Sequence, residues 1–196
     1  MSYFHPRTRI DTVEELLELY AAGRRDFPGL IFNEVGGDTT LWNGANLSGI
    51  NLDGSDFADG NWIEGTDFSN ASLVGISAYN VTFDRCNFTD ADLRGANLIK
   101  TRWVSSDLTE VDFSYANLTR ANFSGAFCKS GAIGLDFTNL IEADFSGSFL
   151  GLPSMGSEDY EREGDRRYGP NGTFFWNTIL KDGTVEVGPI ILADCE

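Results

Sequence analysis

Large apolar residues recur every five positions along most of this chain. The stretch 45–54 reads ANLSG, INLDG, then 91–100 reads ADLRG, ANLIK, and 111–125 reads VDFSY, ANLTR, ANFSG. Each unit runs small residue, Asn or Asp, large apolar residue, then two mostly polar ones. The period is neither the 2 of a half-buried strand nor the 3.6 of a surface helix. Self-similarity at a fixed short period predicts a solenoid, in which each repeat buries its apolar residue only by stacking on its neighbours.

The register runs from Phe27 and Phe32 through Trp42, Leu47, Leu52, Phe57 and Trp62, with Gly37 in one vacant slot. An extra residue intrudes in WIEGTDF, at Ile63–Asp67. The register resumes at Phe68 and continues every five residues to Ile133, including Leu93, Leu98, Trp103, Leu108, Phe113, Leu118 and Phe123. A second disturbance follows at Gly134–Glu142, and Phe145 and Leu150 close the series. A chain that turns a right angle every five residues makes one square coil in twenty. Such coils stack at about 4.8 Å. Phe57, Trp62, Phe68, Leu93, Leu98, Trp103, Leu108, Phe113, Leu118, Phe123 and Phe145 are the expected inward core, with Cys86 and Cys128 also at inward positions. An antiparallel sandwich would need alternation and a turn every 8–12 residues, and the chain has neither.

Both ends depart from the five-residue unit. Asp11 followed by Glu14 reads as a capping box for a helix over 12–22, stopped at Gly23. Its apolar stripe, Leu16, Leu17 and Tyr20, is expected to cover the first coil. Residues 151–172 are polar and rich in Gly and Pro, which reads as a loop. TFFWNTIL and TVEVGPIIL then flank Lys181-Asp182-Gly183, a hairpin signal. The hairpin, or a capping strand, would cover the last coil with Phe174, Trp176 or Ile179. The expected organisation is therefore a tail and helix at 1–24, about six coils over 25–150 at twenty residues each, a loop at 151–172 and a β cap at 173–196.

Composition narrows the chemistry. The chain is 41% hydrophobic with 15 Phe, too apolar and aromatic for disorder. Its net charge of −16 argues against nucleic-acid or anionic-lipid binding. No apolar run reaches membrane-spanning length, and the first residues lack a secretion signal's apolar core. Three scattered cysteines suit a reducing, cytoplasmic setting better than a disulfide framework. His5 is the one histidine and lies outside the repeats, so no Ser-His or Cys-His pair can be built on a fixed site. The aspartates at 56, 67, 92, 112, 136 and 144 occupy one repeat position, as a structural role requires. No metal-ligand spacing or phosphate-binding glycine motif occurs. The expectation is a protein without enzymatic activity, metal or cofactor.

The units ANLSG, ADLRG, ANLTR and ANFSG resemble the pentapeptide-repeat family over roughly residues 25–150. The opening helix followed by DFPGLIF, and NTILKDGT at 177–184, look like cyanobacterial members. The resemblance implies an all-β fold, a right-handed quadrilateral β-helix, with the central residue and the small residue two before it facing inward. It also implies two functional classes. One is a protein-binding or regulatory scaffold. The other is an acidic rod that mimics DNA and inhibits a topoisomerase such as gyrase. Residues 41–150 carry 14 acidic and 6 basic side chains, a net of −8. DNA of that rod's length, roughly 26 Å, carries about 15 charges. The charge deficit favours the scaffold, with a purely structural protein as a third reading. The expected partner is another protein, bound by a monomer or weak homodimer. The expected contact residues lie in the loop: Glu158, Asp159, Tyr160, Glu161, Arg162, Glu163, Asp165, Arg166, Arg167 and Tyr168, on the principle that loops carry specificity.

Overall fold

The structure, a computed structural model, describes residues 10–32, 39–57, 59–150, 173–186 and 190–191. Among these the chain is mostly short parallel β-pairings with one helix. Backbones twenty residues apart lie side by side, as Asp67 does with Asn87, and Asn87 with Asp107. Four such ladders run through the molecule. The first joins Asn46, Asp67, Asn87, Asp107, Phe127 and Phe149. The second joins Asp26, Asn51, Ser72, Asp92, Asp112 and Gly134. Ile31, Asp56, Ser77, Asn97, Asn117 and Asn139 form the third. The fourth holds the longest strands, β1 (Trp62–Glu64), β2 (Thr82–Asp84) and β3 (Arg102–Val104), and continues through Asn122, Asp144 and Ile179.

The repeat's chemistry explains each position. The central residue's carbonyl accepts from the N–H three residues on, as Leu47 does from Ile50 and Phe88 from Ala91. That closes a tight turn whose third residue needs a positive φ. Gly49 and Gly95 sit there at 68° and 67°, but so do non-glycine residues, among them Glu110 at 57° and Tyr115 at 63°. The Asn or Asp before the central residue folds its side chain onto the same turn. Its Oδ1 accepts from the backbone N–H two residues later at Asn46, Asp67, Asp92, Asp112, Asn117 and Asp144, among others. This local bond is why Asn and Asp are selected over other polar residues.

The interior is a set of inward columns. Phe68, Leu93, Leu98, Trp103, Leu108, Phe113, Leu118, Phe123 and Phe145 have no exposed surface, and Phe57 is nearly as buried. Above the fourth ladder Phe83, Trp103, Phe123 and Phe145 stack face to face, at centroid separations of 4.9, 6.2 and 4.5 Å. Phe88 and Phe113 meet Trp103 edge-on. The small residue two before the centre turns inward as well. At several tiers where it is Thr or Ser, its hydroxyl donates to a carbonyl of the tier before, as Thr66 does to Trp42 and Ser106 to Phe83.

Three sequence expectations are corrected. Trp62 is not inward: it is 57% exposed, and Ile63 takes the core slot because Ile63 pairs with Phe83 and Phe83 with Trp103. The first extra residue therefore lies between Asp56 and Trp62, not at Ile63–Asp67. There the Asn61 amide donates to the Phe57 carbonyl, 2.6 Å away. The second disturbance lies between Phe127 and Gly134, where ladder spacing widens from 20 to 22 residues (Asp107 with Phe127, then Asp112 with Gly134). Leu135 already sits in the central register, and Ile133 fills a small-residue slot. Cys128 is half-buried.

At the N-terminal end α1 spans Val13–Ala21. Its cap is Thr12, in extended conformation, with its side chain accepting from the Glu15 N–H and the Glu15 carboxylate accepting from the Asp11 N–H. The capping box thus sits one residue later than the Asp11–Glu14 reading. Leu16 is buried, and Leu17 and Tyr20 pack half-buried against the same core. The Tyr20 hydroxyl donates to the Ser48 carbonyl at 2.7 Å.

At the other end β4 (Phe174–Phe175) pairs antiparallel with β7 (Ile190–Ile191), and β5 (Thr178–Ile179) with β6 (Val185–Glu186) across the Asp182-Gly183 turn. Ile179 is half-buried and bonds by its backbone to Ala143 and Phe145. Trp176 is 43% exposed, and its carbonyl accepts from the Glu142 N–H. The Phe174 side chain lies outside the described residues.

Candidate functional surface

Glu158, Asp159, Tyr160, Glu161, Arg162, Glu163, Asp165, Arg166, Arg167 and Tyr168 lie outside the described residues, as do His5 and Cys195. The surface available for description is that of the tiers. Many of its carboxylates bind their own turns, as above, and several meet cations of their own or a neighbouring tier. Arg85 pairs with Glu64, and Arg120 with Glu142 at 2.5 Å. Arg94 grips Asp92 with two nitrogens, at 2.8 and 2.6 Å, and its Nε lies 3.9 Å from Asp112. Arg94 holds the Asp92 carboxyl, and Arg120 that of Glu142, below the ordinary carboxylate range. Among the described residues no group of His, Cys, Asp and Glu could hold a metal ion, and no helix is long and apolar enough to cross a membrane.

Among the described residues two carboxylate residues are buried, Asp84 and, more deeply, Asp107. Asp107 keeps 4% of its surface, and its Oδ1 accepts from the Thr109 N–H and hydroxyl, at 3.1 and 2.6 Å. Its Oδ2 is 2.5 Å from Lys129 Nζ, and the two form an ion pair. Burial pushes this carboxyl up, but Lys129 and Thr109 outweigh it and the group sits below its ordinary value. A depressed folded-state pKa stabilises the fold above the unfolded value, about 4, and that contribution is lost as pH falls through the folded value. In Lys129→Met the carboxyl should titrate at higher pH, and acid unfolding should begin at higher pH. The loss near pH 7 should be only about 1 kcal/mol, because the lysine end is solvent-screened. Carboxyl-detected NMR titration of both proteins checks this, and an unmoved Asp107 pKa would show that Lys129 is not its partner.

Cys86 is 1% exposed, and burial pushes its thiol up to about 12. Such a thiol stays protonated and unreactive at neutral pH. Large apolar side chains do break the surface, at Trp62, Tyr115, Phe137, Phe149 and Trp176. The sequence register assigned none of these to the surface.

The fold and surface define a repeat protein with a five-residue unit, its polar side chains bound to its own turns and its apolar ones stacked inside. Residues 63–98 and 86–125 match the family model for pentapeptide repeats, in 8 copies; this stretch of the chain is a run of pentapeptide repeats. No curated protein matches the chain. Solved structures similar to it include a pentapeptide repeat protein from the Arabidopsis thaliana thylakoid lumen, 27% identical over 56% of this chain and 67% of that one, with a TM-score of 0.41. Another is the pentapeptide repeat protein Rfr23 from the cyanobacterium Cyanothece 51142, 15% identical, covering 70% of this chain and 91% of that one, TM-score 0.35. A third is QnrB1, a plasmid-mediated fluoroquinolone resistance protein, 18% identical, covering 63% and 66%, TM-score 0.31.

Proposed function

We propose that this protein is a non-enzymatic, protein-binding scaffold, regulatory in role, whose binding surface is a rigid right-handed quadrilateral β-helix. Four parallel ladders with a twenty-residue return support that shape, and parallel crossovers are right-handed in nearly all proteins. In this reading residues 25–150 form the β-helix, α1 covers its first coil and 173–196 its last, and 151–172 is an added loop. It works in the cytoplasm, as a monomer or weak homodimer.

The observation that carries the scaffold reading is the interleaving of charge. Arg85, Arg94, Arg120 and Lys129 each sit against carboxylates of their own or a neighbouring tier. A DNA mimic needs an unbroken negative run at phosphate spacing, and these cations interrupt it. Affinity capture from native cell extract, with the intact protein and a variant lacking 157–168, tests the reading. A discrete partner retained by the intact protein and lost from the variant is the expected result. Specific retention of a DNA gyrase by both forms would favour the DNA mimic instead, and an empty capture would leave a purely structural role.

A further inference from the structure

Tyr115 and Phe137 stack on each other at the outer edge of two successive tiers, centroids 5.0 Å apart and planes 9° from parallel. They are 64% and 49% exposed. Both occupy the left-handed turn position, at φ of 63° and 53°. A bulky residue there is strained. The same position in the preceding tiers holds Gly54, Gly75 and Gly95, and a Cβ on any of these would meet nothing within 4 Å. Tyr115 therefore forms a shelf over a bare strip of backbone, with Phe137 backing one face and open space beneath the other.

Four rings on this molecule are covered by the chain's own cations, though the exposed Trp62, Phe149 and Trp176 are not among them. Arg25 lies 3.8 Å from the Tyr20 centroid, Arg24 4.7 Å from Phe27, Lys100 5.1 Å from Tyr79 and Lys129 5.8 Å from Phe127. Among the described residues the Tyr115–Phe137 stack has no such cation. Its surroundings are suited to one. Asp112 begins the same turn with its carboxylate 44% exposed, and the chain as a whole carries −16. Arg94 is held by Asp92 with two hydrogen bonds and reaches Asp112 only at 3.9 Å.

We infer that the Tyr115 shelf is a docking site for an arginine side chain presented by a basic segment of a partner protein. A guanidinium is planar, so it stacks flat on an aromatic face while its edge offers a fork of N–H donors to a carboxylate; an ammonium is a compact, strongly hydrated point charge without that flat face. The inference rests on the scaffold reading and gives its partner a chemistry.

The test uses hexa-arginine and hexa-lysine peptides as probes, titrated at physiological salt and followed by NMR of the aromatic side chains. The intact protein should bind hexa-arginine at least about fivefold more tightly than hexa-lysine, with the Tyr115 and Phe137 signals shifting. Tyr115→Gly combined with Phe137→Gly places glycine where the backbone prefers it, so the fold should survive while the preference for arginine disappears. Gly95→Arg fills the space beneath the shelf with a cation of the chain's own, at a turn position where Arg85 and Arg120 already show that arginine is accepted. It should abolish the preference with both rings intact. Gly49→Arg, the same charge change at another corner, should leave it unchanged. Equal affinity for the two peptides, or equal effects of Gly95→Arg and Gly49→Arg, would overturn the site. If it falls while native capture still retains a partner on the intact protein and on the double-glycine variant, the scaffold reading stands without it.

Discussion

Leu98→Asp should leave no folded protein at room temperature. Leu98 has no exposed surface, and Ala78 and Leu118, on the tiers before and after, are equally buried. A carboxylate there meets no cation and no donor, and an unpaired buried charge costs about 5 kcal/mol or more even after relaxation. Domains of this kind hold only about 5–15 kcal/mol in total. The repeat architecture sharpens the loss, since a disrupted tier also deprives its two neighbours of a stacking surface. Glu110→Ala is the matched control, because Glu110 is exposed on a turn; its melting midpoint should stay close to that of the unaltered protein. Circular-dichroism melts decide between them. Similar losses for both variants would mean that Leu98 does not face the interior.

Trp103→Ala should be the most damaging of the large-to-small changes. Trp103 is fully buried, stacked between Phe83 and Phe123 and met edge-on by Phe88 and Phe113. Its Nε1–H donates to the Thr101 hydroxyl at 3.0 Å. Removing the indole takes away both the burial and the ring contacts and leaves a cavity that rigid tiers above and below cannot close. The expected cost is about 3–5 kcal/mol, or roughly 10 °C in melting temperature for a chain of this size. Trp103→Phe keeps a ring between Phe83 and Phe123 and should lose well under half as much. If Trp103→Ala and Trp103→Phe melted together, the stack would not be a source of stability.

Much of the core was legible because period five selects one residue in each unit, and that residue was usually the largest apolar one. The rule failed where two apolar residues stood side by side. At Trp62-Ile63 size favoured Trp, but the inside is set by which backbone atoms pair with the tier above, and that pairing selects Ile63. The two insertions, of one residue and of two, were similarly misplaced. Their location depends on where a peptide can bulge and still be satisfied, as at the Asn61 amide and at Gly131 with its φ of 69°. The helix cap moved by one because Asp11 and Thr12 are both good caps and local sequence does not choose between them.

The surface was almost illegible. Arg85 with Glu64, Lys129 with Asp107 and Tyr115 with Phe137 are 21 or 22 residues apart. Counted at an even twenty, Tyr115 would face Leu135. Only the two-residue insertion after Phe127 brings Phe137 beneath solvent to the same corner.

The ladder spacing also bears on how the chain finds its fold. All-β proteins usually fold slowly because their strands pair with distant partners, and long loops must be closed before any contact rewards them. Here most backbone pairings join residues 20 to 22 apart in a chain of 196. The relative contact order of the ladders is thus about 0.1, a value ordinarily seen in helical bundles. Each tier closes a short loop onto one already formed, so a β-rich molecule assembles by a succession of local steps. The pairings of Asp26 with Asn51 and Ile31 with Asp56 span 25 residues, and that of Asp144 with Ile179 spans 35, which makes the C-terminal tier costlier to close.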